Sequence, residues 1–93
     1  MAAPNASKIT AKVLELVQSA HFSDKWCFKL EIITSQSLQG PDFIRVGQRL
    51  KGFTVEPIQD IKAGCIISAE AEFLGDAKTG QLQLKQLFVV PPS

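Results

Sequence analysis

The stretch that decides the fold is Cys65-Ile66-Ile67-Ser68-Ala69-Glu70-Ala71-Glu72-Phe73-Leu74, followed by Gly75-Asp76-Ala77-Lys78-Thr79-Gly80 and Gln81-Leu82-Gln83-Leu84-Lys85-Gln86-Leu87-Phe88-Val89-Val90. From Ile67 to Phe73, and again from Gln81 to Lys85, small or apolar residues alternate with polar ones, which is the period of a half-buried strand. Glycines at both ends of the connecting segment supply the positive φ angles that a reversal needs. The segment therefore predicts a β-hairpin that closes an all-β domain.

Three further strands are predicted upstream of this hairpin, over residues 9–18, 25–34 and 49–55. The first loses its alternation near Val13-Leu14, which favours a bulge there, although a helix also fits the spacing of its apolar residues. Alternation predicts outward side chains for Lys29, Glu31, Glu70 and Glu72, and an inward set of Trp26, Phe28, Leu30, Ile32, Leu50, Ile67, Ala69, Phe73, Leu82 and Leu84.

The chain length is that of one domain with a small core. We expect a disordered tail over residues 1–8, a single barrel domain over 9–90 and a short C-terminal tail over 91–93. Serine, glycine and proline predict a loop over 35–42, and the segment 56–63 has room for one helical turn at most. Ile58 and Ile61 in that segment are predicted to seal the bottom of the barrel.

The arrangement resembles the OB-fold, a five-stranded Greek-key barrel. The residues that carry the resemblance are Val46-Gly47-Gln48 before the third strand, Ile61-Lys62-Ala63-Gly64 before the fourth, and Ala69-Glu70-Ala71-Glu72-Phe73-Leu74-Gly75-Asp76 entering the last hairpin. The chain departs from many OB-folds in lacking room for a full helix between strands three and four. SH3-like barrels and other five-stranded meanders remain alternatives.

Composition excludes several classes of protein. Hydrophobic residues make up 45% and charged residues 20%, as in a folded domain, and the net charge of +1 argues against a general nucleic-acid coat. No apolar run reaches the roughly 18 residues of a membrane span. The first residues lack the pattern of a secretory signal, so we expect a cytoplasmic protein whose Cys27 and Cys65 are reduced.

No residue pattern indicates catalysis. His21 is the only histidine and has no cysteine near it in sequence, whereas a zinc site needs about four ligands with closely spaced pairs. Glu70 and Glu72 are most simply two side chains on the solvated face of a strand. We therefore expect a protein that is not an enzyme, with no catalytic residue, metal or cofactor.

The resemblance implies a ligand surface on the outer side of strands two and three and their flanking loops. Carried onto this chain, that surface comprises Phe22, Lys25, Lys29, Arg45, Arg49, Lys51, Phe53 and Lys78. Cations there would follow phosphates, and Phe22 and Phe53 could stack on bases. A bulge at Gly52 would instead bury Phe53 together with Val55, and burial of Phe53 is the expectation.

Two functions from different classes follow. The first is a small OB-like module that binds single-stranded DNA or RNA weakly through the surface of strands two and three. The alternative is a protein-interaction module, either a homo-oligomer or an accessory subunit, for which Ile33, Leu38 and Ile66 are the exposed apolar candidates. The two functions are distinguished by whether the outer surface of strands two and three is positively charged or apolar.

Overall fold

A computed structural model of the protein contains five β-strands in the residues that it describes. These residues are 5–18, 25–40, 44–56, 58, 61–75 and 80–91. The strands are β1 (Ala6–Gln18), β2 (Trp26–Gln39), β3 (Arg49–Thr54), β4 (Ile66–Leu74) and β5 (Gln81–Val89). Their order is β1-β2-β3-β5-β4, and β1 also pairs with β4, so the sheet closes into a barrel. The β3–β5 pair is parallel and the others are antiparallel. The fold class is all-β, a closed five-stranded barrel, as the sequence predicts.

The barrel interior is filled by the alternating residues of all five strands. Of the ten residues predicted to point inward, Trp26 and Leu50 are half-buried against the core, and the other eight are buried: Phe28, Leu30, Ile32, Ile67, Ala69, Phe73, Leu82 and Leu84. Lys29 is exposed, and Glu31, Glu70 and Glu72 keep partial access to solvent. Ile58 and Ile61 pack against the core, as predicted.

β1 contains a bulge and pairs with two neighbouring strands. The register with β2 shifts between Val13 and Glu15, which confirms the predicted bulge and excludes a helix for this segment. Ile9, Ala11 and Val13 are fully buried before the shift. Residues 7–12 pair with β4 as well as with β2, so the first half of β1 closes the barrel.

Two strands extend further than the sequence indicates. β1 begins at Ala6 and Asn5 is buried, so residues 5–8 belong to the barrel and not to the predicted tail. β2 continues to Gln39 through residues expected to form a loop, because Ser35, Gln36 and Ser37 pair with β1. Backbone pairing satisfies the peptide groups of these polar residues without requiring apolar side chains.

The predicted bulge at Gly52 does not form. β2 and β3 pair in unbroken register, with Phe28 opposite Gly52 and Cys27 opposite Phe53. A Cβ atom at Gly52 would lie 3.2 Å from a methyl carbon of Leu84 and 3.3 Å from one of Leu30. The glycine is therefore explained by close packing inside the barrel. Phe53 consequently lies on the outer face, half-buried, and the expectation that it and Val55 are buried in the core is wrong.

The strands β3 and β4 are each preceded by a similar tight turn. The N–H of Gln48 donates to the carbonyl of Arg45, and the N–H of Cys65 donates to that of Lys62. Gly47 and Gly64 occupy the third position of these turns with φ of 85° and 95°, which a type II turn requires and glycine permits. Each turn is also hydrogen-bonded to an earlier strand, the first through Ile32 of β2 and the second through Val13 of β1.

Candidate nucleic-acid interface

Register between β2 and β3 places the predicted cations on one surface. Lys29 lies directly opposite Lys51, and Glu31 lies directly opposite Arg49. Because side chains alternate along each strand, these residues share the outer face with Phe53. We call the surface formed by Lys25, Lys29, Arg49, Lys51 and Phe53 the basic face.

Two carboxylates lie among these cations. Lys29 Nζ is 3.7 Å from Glu15 Oε2, and Arg49 Nε donates a hydrogen bond of 3.3 Å to Glu31 Oε2. Lys51 makes no ion pair within the part of the chain that the structure covers. Exposed pairs of this kind contribute about 0–1 kcal/mol, so an incoming phosphate can compete for either cation.

Sequence reasoning did not assign Glu15 and Glu31 to this surface. Glu15 comes after the β1 bulge, and its position opposite Lys29 depends on the register shift that the bulge introduces. The sequence predicts that Glu31 points outward. It does not give the register between β2 and β3, which places Glu31 opposite Arg49.

A groove of about 560 Å³ lies beside Lys29, Arg49 and Lys51 of the basic face. Leu14 and Leu50, both half-buried, line it together with the charged residues Glu15, Lys29, Arg49 and Lys51. Leu14 lies between the two residues at which the β1 register shifts, so the bulge supplies part of the apolar lining. The volume falls within the range of about 300–1,000 Å³ that is typical of ligand clefts.

Phe53 carries a cation over its ring. Lys25 Nζ is 4.6 Å from the ring centroid, which is the geometry of a cation–π interaction. Cys27 lies opposite Phe53 and Val17 lies opposite Cys27, and both are exposed. An exposed cation–π contact contributes about 0.5–1 kcal/mol, so a planar base can replace the ammonium on this ring at small cost.

The remaining predicted residues are not brought to this surface by any described contact. Arg45 is exposed in the turn before β3, where its N–H donates to Gln48 Oε1. Phe22 and Lys78 lie outside the described residues, as does His21.

Other kinds of site find no support among the described residues. No group of three or more histidine, cysteine, aspartate or glutamate side chains there could hold a metal ion. Cys27 is exposed, Cys65 is half-buried, and neither forms a disulfide with another described residue. Within the same residues, no helix has the length and apolar character needed to cross a membrane.

Comparisons with known proteins return no match to a family model, a curated protein or a solved structure.

Proposed function

We propose that this protein is a small OB-like module that binds single-stranded nucleic acid through the basic face. The strand order β1-β2-β3-β5-β4, with β1 closing on β4 and a connection between β3 and β4 that shows no helix in its described residues, is consistent with the OB-fold. The module acts by binding, without catalysis and without a cofactor.

The concentration of positive charge on β2, β3 and the residue before β2 carries this proposal. Lys25, Lys29, Arg49 and Lys51 give four positive charges, and Glu15 and Glu31 give two negative ones, so this region has a charge of +2. The whole chain has a charge of +1, which leaves −1 for the rest of the molecule. Since phosphate affinity comes from counterions released per cation, a site with few cations gives weak, salt-sensitive binding.

Strand geometry suits an extended single strand. Outward residues of one strand repeat about every 6.8 Å, so β3 presents a guanidinium, an ammonium and an aromatic ring in a line at Arg49, Lys51 and Phe53. Cations can follow the phosphates while the ring stacks on a base, and this combination is the usual means of sequence-independent binding to single strands.

Titration of fluorescently labelled 12-nucleotide single-stranded DNA and RNA at low and moderate salt tests the proposal. Lys51→Gln should weaken binding and reduce the slope of log affinity against log salt by about 0.7, the value for one phosphate contact on a single strand. Lys85→Gln is the matched control, because Lys85 is an exposed lysine of β5 opposite Glu70 of β4. Absence of binding at both salt concentrations would refute the proposal.

A protein-interaction role is the second candidate function. Ile33, Leu38 and Ile66 are all exposed, as the sequence predicts, and Phe88 joins them. Ile66 and Phe88 lie on β4 and β5, and neither belongs to the basic face. Because the surfaces are separate, one protein can have both functions.

A further inference from the structure

A second groove, of about 120 Å³, lies on the outer surface where β1 and β4 pair. Leu38 and Phe88 both line it, although they are 52% and 55% exposed, and Ser68 and Ala69 form its floor. Ser68 pairs with Phe88 in the sheet, and Ile66, two residues earlier on β4, is also exposed. The groove is open to solvent and smaller than the roughly 150 Å³ enclosed cavity that accepts a benzene molecule, so it can receive part of an apolar side chain.

Two opposite charges lie beside Leu38 and Phe88 in this groove. Lys8 and Glu70 line the same groove and lie opposite each other across the β1–β4 pair. Neither forms an ion pair within the described part of the chain. We call the surface formed by Lys8, Leu38, Ile66, Glu70 and Phe88 the Phe88 face.

We propose that two copies of this chain associate through the Phe88 face. In a two-fold symmetric dimer, each residue contact occurs twice, so the interface must be complementary to itself. The Phe88 face meets this requirement, because Lys8 of each copy can pair with Glu70 of the other. The exposed ring of Phe88 can enter the groove beside Leu38 of the other copy.

Charge favours a second copy over a nucleic acid as the occupant. The Phe88 face carries one cation, Lys8, and one carboxylate, Glu70, so it has no excess of positive charge to attract a phosphate backbone. A net charge of +1 produces little repulsion between two copies. The dimer uses a surface other than the basic face, so it is independent of nucleic-acid binding and leaves two basic faces available.

Sedimentation velocity from micromolar to millimolar protein concentration tests the dimer. The unmodified chain should change from monomer to dimer with concentration, and Phe88→Asp should raise the dissociation constant at least 100-fold. Val46→Asp is the matched control, since Val46 is an exposed apolar residue in the turn before β3. A chain that stays monomeric throughout, or equal effects of the two variants, would overturn the proposal. The result does not depend on added oligonucleotide, so failure of nucleic-acid binding would be recognised separately.

Charge exchange provides a test that does not alter the apolar residues. Lys8→Glu leaves two carboxylates at this pair of positions, and Glu70→Lys leaves two ammonium groups, so each variant alone should dimerise at least ten-fold more weakly. An equimolar mixture of the two should form a heterodimer with an affinity close to that of the unmodified chain. If mixing the two variants does not restore dimerisation, Lys8 and Glu70 do not pair across the interface and the proposed geometry is wrong.

Discussion

The side-chain amide of Asn5 is paired with the backbone of Phe73, a residue 68 positions later in the chain. Asn5 Nδ2 donates to the carbonyl oxygen of Phe73 at 3.1 Å, and the N–H of Phe73 donates to Asn5 Oδ1 at 2.8 Å. Ser7 and Ala71 are the last backbone partners of β1 and β4 at this end. An amide carries the same donor and acceptor as a peptide group, so Asn5 extends the barrel closure by one more pair.

Asn5→Ala should lower the free energy of unfolding by about 1–3 kcal/mol, because it removes two buried hydrogen bonds to the backbone of Phe73. Urea denaturation measures this change. Gln36→Ala is the control, since Gln36 is an exposed amide residue of β2 and should change stability little. Equal effects of the two substitutions would show that the Asn5 amide does not stabilise the closure.

Ser7→Ala should not lower the free energy of unfolding, in contrast to Asn5→Ala. The Ser7 side chain is 1% exposed, and its hydroxyl oxygen has no hydrogen-bond partner within the described structure. Removing an unpaired buried hydroxyl should leave stability unchanged or raise it by about 1 kcal/mol. The same urea experiment measures it, and a clear loss of stability would contradict the burial of an unpaired hydroxyl at this position.

Phe28→Ala should destabilise the barrel by about 3–5 kcal/mol, because the ring is 2% exposed and its removal leaves a cavity. A loss of this size is a large fraction of the stability of so small a domain. Phe88→Ala is the matched control at a protein concentration low enough to keep the chain monomeric, and it should cost far less because Phe88 is exposed. Thermal unfolding followed by circular dichroism compares the two.

Phe53→Ala should weaken oligonucleotide binding by about 1–3 kcal/mol, the value for one base stacked on an aromatic ring. Its salt slope should stay unchanged, since a ring contacts no phosphate, whereas Lys51→Gln reduces that slope. Phe88→Ala again serves as control and should bind as the unmodified chain does. A reduced salt slope for Phe53→Ala would indicate that the ring only positions Lys25, its cation–π partner.

Glu31→Gln should strengthen oligonucleotide binding up to about five-fold, because it removes the carboxylate that competes with phosphate for Arg49. The salt slope should become steeper, by up to about 0.7 if Arg49 gains a full phosphate contact. Glu72→Gln makes the same charge change on β4 and is the matched control. Equal gains in affinity for the two variants would mean that the change in net charge alone strengthens oligonucleotide binding.

Local pattern in the sequence was sufficient to predict most of the barrel. An alternation of period two is a property of adjacent residues, so it located all five strands and the inward set that includes Phe28, Leu30 and Ile67. The break in that alternation at Val13-Leu14 likewise revealed the β1 bulge. The same alternation predicts that the cations of the basic face point outward, and the resemblance to the OB-fold implies that this face binds a ligand.

Tertiary structure decided the features that depend on which strands are neighbours in the sheet and on their register. The pairs Glu15–Lys29 and Glu31–Arg49 follow from register, and the extension of β2 to Gln39 follows from pairing with β1. The tight fit at Gly52 comes from Leu30 and Leu84, and the burial of Asn5 comes with its hydrogen bonds to Phe73. Hydrogen bonds and packing between distant segments depend on long-range geometry. Alternation along a strand gives the direction of its side chains only while its phase is unbroken, and at Gly52 the pairing of β3 with β2 decided that phase.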